Sequence, residues 1–321
     1  MLLLSRADVE SLLDPLELID AVARAMADLS AGRASMPDRV AALVPERDGL
    51  LGAMPGYVPS LGALTAKLVT LFPRNADGPL PTHQALVGAF DPDTGEPLAL
   101  IDGTAITELR TAAGSALSAR LLARAGARVL AIVGTGVQAR AHARAIALVR
   151  EPDELRVAGR NAAKTERIAA ELRAEGLPAR AAASYEEAVR GADVVCATTH
   201  ALEPVVRGEW LAPGAHVTSV GYNPQGRELD DDAVARSLVV VESRATALAP
   251  PPAGSNDLAG LGPEHVHAEI GELVTGTRPG RTSDEQITLY KSVGVAVQDT
   301  AAAALAIAKA RERGAGREVA I

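Results

Sequence analysis

The chain is poor in cysteine and in positive charge, and each shortage excludes a class of protein. The one cysteine, Cys196, excludes a disulfide framework within the chain and indicates a reducing, cytoplasmic compartment. Lysine and arginine number 32 against 40 aspartates and glutamates, which gives a formal net charge of −8. This acidic balance disfavours a nucleic-acid or anionic-membrane partner, because such partners need a basic face.

Long hydrophobic runs and aromatic residues are also scarce. No uninterrupted apolar stretch reaches the roughly 18 residues of a transmembrane helix, so no membrane span is expected. The N-terminal residues lack the basic segment of a signal peptide. Only 2% of residues are aromatic, so packing must rely on aliphatic side chains. With 321 residues the chain is long enough for one large or two ordinary domains.

Two kinds of pattern divide the chain. Residues 1–31 show helical spacing of apolar residues, and residues 36–101 contain short β-type runs separated by Gly, Pro, Asn and Asp. Long Ala-rich helices are predicted over 104–124 and 293–313. From residue 128, strands and helices alternate at a spacing typical of a doubly wound parallel sheet.

These patterns predict an α/β protein with two domains. We expect a Rossmann doubly wound parallel sheet over residues 121–290 and a second, α+β domain over residues 1–120. The C-terminal helix within 291–321 is expected to return to the first domain. Residues 247–264 form a Pro- and Gly-rich loop. No cluster of His, Cys, Asp or Glu has metal-ligand spacing, so no metal is expected.

A glycine turn is the strongest local signal. The run Gly134-Thr135-Gly136-Val137-Gln138-Ala139 follows a buried apolar run and opens a helix. The first glycine permits a tight turn, the second lets the backbone approach a pyrophosphate, and the small third residue allows helix–strand packing. The helix N-terminus then offers free N–H groups to the anion. The alternative is a glycine-rich turn that binds nothing.

The end of the next predicted strand bears on the choice of cofactor. An NAD site usually has an acidic residue there to hold the ribose 2′-hydroxyl, but this strand is followed by Arg160 and Asn161, with Lys164 close behind. An arginine suits a 2′-phosphate through charge-assisted bonds. The sequence therefore favours NADP(H), with NAD(H) possible. The alternative is a solvated arginine at a helix start.

Four blocks together resemble the ornithine cyclodeaminase/μ-crystallin family. They are KLVTLFPRN (67–75), residues 81–117, the VGTGVQA turn, and SVGYNPQGRELDD (219–231). The resemblance spans nearly the whole chain. It implies a homodimer in which a substrate-binding and dimerisation domain is joined to a Rossmann domain. The family includes ornithine and lysine cyclodeaminases, an alanine dehydrogenase, and NADPH-dependent ketimine reductases.

The resemblance also implies roles for particular residues. Arg39, Lys67 and Arg110 match the family's binders of the substrate carboxylate, and Asp230 matches its catalytic acid/base. Three cations near one another need an anion, and an α-carboxylate is one. Candidate catalytic residues are Asp230, Lys67 and His83. Candidate cofactor-binding residues are Thr82, Thr111, Gly134, Thr135, Gly136, Val137, Gln138, Arg160, Asn161, Lys164, Thr198 and Val293.

Each of these residues also has a plain structural alternative. Arg39 and Arg110 could be surface ion-pair partners, and the alternation around Lys67 could place it on a solvent-facing side of a strand. Asp230 could be a helix N-cap, and His83 could be a hydrogen-bonded structural residue. Taken with the order of the motifs, the sequence favours the functional interpretation.

A departure from the family pattern bears on the reaction. Ornithine cyclodeaminases carry an acidic residue just before the Met-Pro that matches residues 54–55, whereas residues 51–53 here are Leu-Gly-Ala. The sequence therefore predicts an NAD(P)H-dependent reductase of small α-imino or α-amino acids, such as Δ1-pyrroline-2-carboxylate. The alternatives are an ornithine cyclodeaminase that uses bound NAD catalytically, an alanine dehydrogenase-like enzyme, and a dinucleotide-binding protein without catalysis.

Overall fold

Two units make up the chain in the computed structural model, which describes residues 1–250 and 253–320, without the side chains of residues 76 and 77. Unit 1 contains Met1–Arg110 and Val295–Ile321, and unit 2 contains Thr111–Gly294. The predicted boundaries at 120 and 290 differ from these by ten and four residues. The division between residues 110 and 111 falls inside a continuous helix, Gly103–Leu122. No change in sequence pattern marks it for this reason.

The secondary structure alternates as the sequence patterns indicate. The strands are β1 (Leu2–Leu4), β2 (Val40–Val44), β3 (Gly49–Val58), β4 (Ala63–Leu71), β5 (His83–Phe90), β6 (Pro97–Asp102), β7 (Val129–Val133), β8 (Glu154–Ala158), β9 (Ala179–Ala181), β10 (Val194–Ala197), β11 (His216–Ser219), β12 (Ser237–Val241), β13 (Val266–Glu269), β14 (Ile287–Lys291) and β15 (Arg317–Glu318). The α-helices are α1 (Arg6–Leu12), α2 (Pro15–Ser30), α3 (Gly103–Leu122), α4 (Val137–Val149), α5 (Ala162–Ala174), α6 (Tyr185–Val189), α7 (Asp231–Ala235), α8 (Arg244–Ala247), α9 (Ile270–Thr275) and α10 (Ala296–Arg313).

Unit 1 is built on a mixed sheet with the order β15-β1-β6-β5-β4-β3-β2. The ladder from β2 to β6 is antiparallel, and alternate residues of β3 and β4 are buried beneath helix α10. Helix α10 approaches so closely that a Cβ at Gly56 would lie 2.8 Å from Thr300 Oγ1. Thr65 Oγ1 lies 2.8 Å from the same hydroxyl. One face of this sheet therefore forms the core of unit 1.

The opposite face of the unit 1 sheet carries exposed aliphatic side chains. Val40, Ala53, Leu68 and Leu86 are successive cross-strand neighbours on β2 to β5. Val40 is 65% exposed, Leu68 45% and Leu86 48%, and Leu51 beside them is exposed as well. We call Val40, Leu51, Ala53, Leu68 and Leu86 the apolar sheet face. A contiguous apolar surface of this kind is typical of a protein contact.

Unit 2 contains an eight-stranded, fully parallel sheet with the order β13-β12-β14-β11-β10-β7-β8-β9. The chain starts at the central strand β7, moves outward through β8 and β9, and returns to β10 on the other side. The carboxyl ends of β7 and β10 thus lie at the topological switch point, where such sheets bind ligands. The predicted α/β fold with a doubly wound parallel sheet is confirmed.

Several elements differ from the predicted ones. Strand β2 lies in the region 36–101 of β-type runs, but the pattern does not mark its bounds, because all its residues are exposed and show no alternation. Strands β13 and β14 are short and were also missed. The last helix begins at Ala296 rather than at residue 293, because Gly294 adopts a φ of 76° that interrupts helical geometry. The predicted loop 247–264 contains helical turns at 256–258 and 263–265, and its residues 251 and 252 lie outside the described residues.

Candidate active site

A buried cluster of opposite charges forms the polar centre of unit 1. Lys67 Nζ lies 2.7 Å from Asp299 Oδ2, and Arg110 Nε donates to Asp299 Oδ1 at 3.0 Å. Arg110 Nη1 also donates to Gln298 Oε1 at 2.9 Å. Lys67 is 3% exposed and Asp299 1%. Strand β4 and helices α3 and α10 each supply one of the three charges.

The register of the sheet explains why Lys67 is buried. Its cross-strand neighbours are Met54 on β3 and Val87 on β5, both buried on the face that α10 covers. The solvent-facing alternative for Lys67 is therefore wrong, and so is the surface alternative for Arg110. Burial lowers the pKa of Lys67 to about 8, with Arg110 and Arg39 adding to the effect and Asp299 opposing it.

Asp299 is a site residue that the sequence interpretation missed. Burial alone would raise its pKa, but Arg110 and Lys67 outweigh burial and lower it, so the carboxylate is ionised beside the two cations. The available signal was an Asp next to Gln298 within a helix that is otherwise rich in alanine. That signal identifies an unusual polar position, but it does not indicate the partner strand.

Arg39 and His83 are more exposed than Lys67 and Arg110. Arg39 is half-buried in the segment before β2, close enough to act on the charge of Lys67. His83 is exposed at the start of β5, with Nδ1 3.2 Å from Thr82 Oγ1. It lies four residues along β5 from Val87, which corresponds to about 13 Å. The structure brings Lys67 and Arg110 together, and it places His83 further along β5 in an exposed position.

The region where cyclodeaminases carry an acid can now be placed on the sheet. Alternation along β3 puts Gly52 on the same face as Met54 and Lys67, whereas Leu51 and Ala53 belong to the apolar sheet face. A Cβ at Gly52 would meet Val69 at 3.5 Å, an ordinary contact. On the face of β3 that carries Met54, the position before it is therefore occupied by Gly52 and not by an acidic residue. The space around Gly52 would accept the Cβ of a side chain.

The glycine turn in unit 2 has the geometry of a phosphate-binding turn. Gly134 has a φ of 132°, and a Cβ there would lie 2.5 Å from Thr198 Oγ1. Thr198 is fixed by bonds from its N and Oγ1 to the carbonyl of Val133. A Cβ at Gly136 would meet nothing within 4 Å, so space is open at the N-terminus of α4. Ala139 is fully buried against the sheet.

Three more residues of this turn, Thr135, Val137 and Gln138, have side chains that a bound ligand could contact. The Oε1 atom of Gln138 is buried and has no hydrogen-bond partner within the part of the chain that the structure describes. Val137 is exposed at the first turn of α4, and Thr135 is half-buried. A ligand with hydrogen-bond donors seated on the turn would satisfy Gln138.

Arg160 and Lys164 are exposed at the carboxyl end of β8 and the start of α5. Asn161 is the N-cap of α5, and its Oδ1 accepts from the backbone N of Lys164 at 2.9 Å. Neither Arg160 nor Lys164 has an ion-pair partner among the described residues. Gly159 has no room for a side chain, because a Cβ would lie 2.5 Å from Thr135 Cγ2. Two uncompensated cations therefore flank the glycine turn.

Asp230 is the N-cap of α7, as its structural alternative predicted. Its Oδ1 accepts from the backbone N of Ala233 at 2.8 Å and of Gly208 at 2.9 Å. Within residues 1–250 and 253–320, no hydrogen bond reaches its Oδ2. One carboxylate oxygen thus fixes the orientation of the side chain, and the other can still accept a proton or a hydrogen bond.

A buried polar network holds the chain just before Asp230. Lys291 Nζ lies 2.8 Å from Asp257 Oδ2 and donates to Ser219 Oγ and the Gly221 carbonyl, both at 2.9 Å. Asp257 Oδ1 accepts from the backbone N of Glu228 and of Leu229. Burial would raise the pKa of Asp257, but Lys291 outweighs it and lowers it.

The carboxylate of Glu228 completes this network. It accepts from Thr199 N and Oγ1, from Ser219 Oγ and from Gly221 N at 2.5 to 2.8 Å. The residues that follow strands β10 and β11 are thereby tied to the segment that carries Asp230. Glu228 and Asp257 were not predicted, because their partners are distant in sequence.

The remaining candidate cofactor-binding residues, Thr111 and Val293, lie near the first and last residues of unit 2. Val293 and Gly294 donate their backbone N–H groups to Glu242 Oε2, each at 2.8 Å. Ser292 Oγ donates to Glu242 Oε1 at 2.9 Å. Thr111 is buried in helix α3. Glu242 is a further buried acid that the sequence interpretation missed, and it fixes the backbone of residues 292–294.

Fold and site together define a class of protein. A doubly wound parallel sheet with an open glycine turn is typical of dinucleotide-binding proteins, and a buried Lys–Arg pair in a separate unit is suited to a small anion. The ornithine cyclodeaminase/mu-crystallin family model matches residues 1–314, and the chain belongs to this family. The resemblance given by the four sequence blocks is confirmed.

Similar proteins are known in sequence and in structure. The ketimine reductase mu-crystallin of Mus musculus is 39% identical over 292 residues, which cover 90% of each chain. Thermococcus litoralis Δ1-pyrroline-2-carboxylate reductase, solved with NADH and L-proline, is 38% identical with a TM-score of 0.94, covering 99% of this chain and 100% of that one. An archaeal alanine dehydrogenase dimer with bound NAD is 33% identical with a TM-score of 0.92, covering 100% and 99%.

Proposed function

We propose that the chain is an NAD(P)H-dependent oxidoreductase that reduces the C=N bond of small α-imino acids, with Δ1-pyrroline-2-carboxylate and Δ1-piperideine-2-carboxylate as candidate substrates. The observation that carries the proposal is the buried Lys67–Arg110 pair, which suits the carboxylate of such a substrate. The named relatives support it, because two of those reported above are a ketimine reductase and a pyrroline-2-carboxylate reductase.

In this proposal, unit 1 binds the substrate carboxylate. Arg110 and Lys67 each keep N–H donors beyond those used by Asp299, Gln298 and Thr107, and Arg39 adds a third cation nearby. The arginine fork fixes the orientation of the carboxylate, which a point charge alone would not do. Met54 and Val87 beside Lys67 supply apolar contact, which suits the carbon skeleton of a small imino acid.

Unit 2 holds the dinucleotide in this proposal. The open space at Gly136 and the buried, unsatisfied Gln138 Oε1 fit a bound dinucleotide. A bound reduced nicotinamide would supply the hydride that adds to the C=N carbon, while the nitrogen takes up a proton. Thr135, Val137, Thr198 and Val293 are proposed contacts in unit 2, together with Thr111. The cofactor role of Thr82, in unit 1, stays a prediction from the resemblance.

Arg160 and Lys164 are the residues that bear on the choice between the two nicotinamide cofactors. Two exposed cations without ion-pair partners among the described residues suit the 2′-phosphate of NADP(H). Asn161 fixes the start of α5 beside them. We therefore favour NADP(H), with NAD(H) as the alternative cofactor.

Asp230 is proposed to act at the substrate nitrogen. Its Oδ1 is held by two backbone N–H groups, so Oδ2 is the atom that can stabilise the protonated imine or exchange a proton with the amine. Lys67 is proposed to act on the substrate through its charge. His83 is the alternative proton donor, and its exposed position on β5 weakens that role.

Two further assignments belong to the same proposal. The apolar sheet face supports a homodimer, as the resemblance to the family implies. No helix in the described part of the chain is long and apolar enough to cross a membrane. The cytoplasmic location stays a prediction that rests on the single cysteine.

The test is NADPH oxidation by the purified protein with the two cyclic imino acids, followed by nicotinamide absorbance. We expect consumption with at least one of them, and Arg110→Ala should raise the substrate KM by about 100-fold, because charged hydrogen bonds contribute about 1.5–3 kcal/mol each. Arg74→Ala, which removes an exposed ion pair of unit 1, is the control.

A different result would overturn the reductase proposal. No NADPH consumption, together with ammonia release from ornithine in the presence of NAD, would replace the reductase with a cyclodeaminase. The absence of an acid at Gly52 argues against that result, because a second acid would help to bind the distal amine of ornithine.

A further inference from the structure

Asp299 occupies a position that the proposed reaction does not itself require. It is buried in α10 and contacts both Lys67 and Arg110, of which Arg110 lies 189 residues away in sequence. A buried carboxylate in a site built for a carboxylate substrate would at first sight compete with that substrate. The position of Asp299 between two cations therefore needs a separate explanation.

We propose that Asp299 is a positioning residue of the carboxylate site, which holds Lys67 and Arg110 side by side and keeps Lys67 protonated for an anionic substrate. This inference rests on the proposed function in one respect, the identity of the anion that Lys67 and Arg110 receive. The part that concerns the charge of Lys67 does not depend on it.

The geometry supports the positioning role. The two oxygens of Asp299 are divided between the cations, with Oδ1 accepting from Arg110 Nε and Oδ2 2.7 Å from Lys67 Nζ. Arg110 donates Nε to Asp299 and Nη1 to Gln298, while Lys67 Nζ pairs with Asp299 and donates to Thr107 Oγ1 at 3.5 Å. An arginine has five N–H donors and a protonated lysine has three. Asp299 therefore orients both side chains and leaves donors on each for a second anion.

The charge balance supports the second part of the proposal. Without Asp299, two buried cations would repel each other, and only lysine can relieve this by losing its proton, because arginine stays charged. Burial already lowers the pKa of Lys67 to about 8, against which Asp299 acts. The side chains that face Lys67 are Asp299 on α10, Arg110 and Thr107 on α3, Arg39 before β2, and the apolar Met54 on β3 and Val87 on β5.

The sequence makes a direct measurement feasible, because the chain has only four lysines: Lys67, Lys164, Lys291 and Lys309. Protein labelled with ¹³Cε-lysine gives one NMR signal for each, and Lys67→Arg assigns the signal of Lys67. We expect Asp299→Asn to lower the titration midpoint of Lys67 by about one to three pH units. Asp299→Glu should restore part of that shift.

A control and a second variant make the result decisive. Glu17→Gln removes the exposed partner of Lys309, which lies on the same helix as Asp299, and should leave the Lys67 midpoint unchanged. Arg110→Gln removes a positive neighbour and should raise the Lys67 midpoint. If Asp299→Asn does not fold, Arg110→Gln still tests whether Lys67 responds to the charges of this cluster. An unchanged Lys67 midpoint in the folded variants overturns the proposal.

A kinetic measurement separates this inference from the proposed function. In the wild-type enzyme, the KM for Δ1-pyrroline-2-carboxylate should rise with pH as Lys67 deprotonates. In Asp299→Asn that rise should begin at a lower pH, by the same shift as the NMR midpoint, while kcat changes less. If the wild type reduces no cyclic imino acid but Lys67 shifts as expected, the proposed function fails and the role of Asp299 stands. A KM change without a Lys67 shift contradicts it.

Discussion

At the scale of single residues, the two groups of candidate cations differ in whether the fold compensates their charge. Lys67 and Arg110 are buried and contact Asp299, so their geometry is fixed before any ligand binds. Arg160 and Lys164 are exposed and have no ion-pair partner in the described part of the chain. Solvent compensates exposed cations at little cost, so their role depends on a ligand rather than on folding.

Arg160 is therefore the residue at which cofactor choice can be tested. We expect Arg160→Ser to lower kcat/KM for NADPH by about tenfold to 100-fold, because a charged hydrogen bond contributes about 1.5–3 kcal/mol. The kcat/KM for NADH should change by less than about threefold, since its ribose carries no 2′-phosphate. Steady-state kinetics with both cofactors checks this.

Arg167→Ser is the matched control for that comparison. Arg167 is an exposed arginine on α5, the helix that begins just after Arg160, and its Nε lies 3.7 Å from Glu171 Oε1. Arg167→Ser should leave kcat/KM unchanged for both NADPH and NADH. An equal loss for NADPH and NADH in Arg160→Ser would mean that Arg160 does not distinguish the two cofactors.

At the scale of elements, the two glycines of the β7–α4 turn have separate tasks. Gly134 is required by a φ of 132° and by contact with Thr198, whereas Gly136 has an ordinary φ of −89° and open space around it. We expect Gly134→Ala to lower the free energy of unfolding by about 1–3 kcal/mol through backbone strain and contact. Gly136→Ala should change it by less than about 0.5 kcal/mol.

Dinucleotide affinity should rank these variants differently. A methyl group at Gly136 enters the space proposed for the pyrophosphate, so the Kd for the dinucleotide should rise about tenfold or more, a change of about 1.4 kcal/mol. Denaturant unfolding can be followed by fluorescence of Trp210, the chain's single tryptophan, which lies in unit 2. A stable Gly136→Ala with unchanged affinity would contradict the proposed position of the pyrophosphate.

The network around Lys291 gives a second prediction at this scale. Lys291→Met leaves Asp257 buried without its cation, which should lower the free energy of unfolding at pH 7 by about 3–5 kcal/mol. In the wild type, the lowered pKa of Asp257 contributes stability that is lost as pH falls through that value. In the variant, burial without Lys291 raises the pKa of Asp257 above its unfolded value, so acid stabilises the variant.

The difference between wild type and Lys291→Met should therefore narrow from about pH 7 to about pH 4.5. Urea unfolding at both pH values measures it. Lys309→Met, which removes an exposed ion pair with Glu17, should cost less than about 1 kcal/mol at either pH. A difference that stays constant with pH would mean that Asp257 is not the group left uncompensated.

At the scale of the whole molecule, local signals were predictable from the sequence and distant contacts were not. The turn from Gly134 to Ala139 follows from adjacent residues, and so does the N-cap role of Asp230. The contact of Asp299 with Arg110 joins positions 189 residues apart, and no periodicity reports it. The sequence pattern does not mark strand β2, because its five residues are all exposed and burial imposes no alternation on them.

The exposure of β2 and of the leucines beside it also bears on assembly. The apolar sheet face crosses four adjacent strands of unit 1, and it ends at β6, where Asp102 is the cross-strand neighbour of Leu86. Covering such a face removes apolar surface from water, which contributes about 25 cal/mol for each Å². A second copy of the chain is the partner that the homodimer proposal assigns to it.

We expect the double variant Leu68→Asp with Leu86→Asp to convert the proposed homodimer to a monomer. Leu68 and Leu86 are direct cross-strand neighbours, so two carboxylates would lie side by side in the centre of the proposed interface, where their charges would repel and be costly to bury. Light scattering coupled to size-exclusion chromatography measures the mass. Leu16→Asp, at an exposed leucine of α2 in the same unit, should remain dimeric. A dimer that survives the double variant would require its interface to lie elsewhere on the chain.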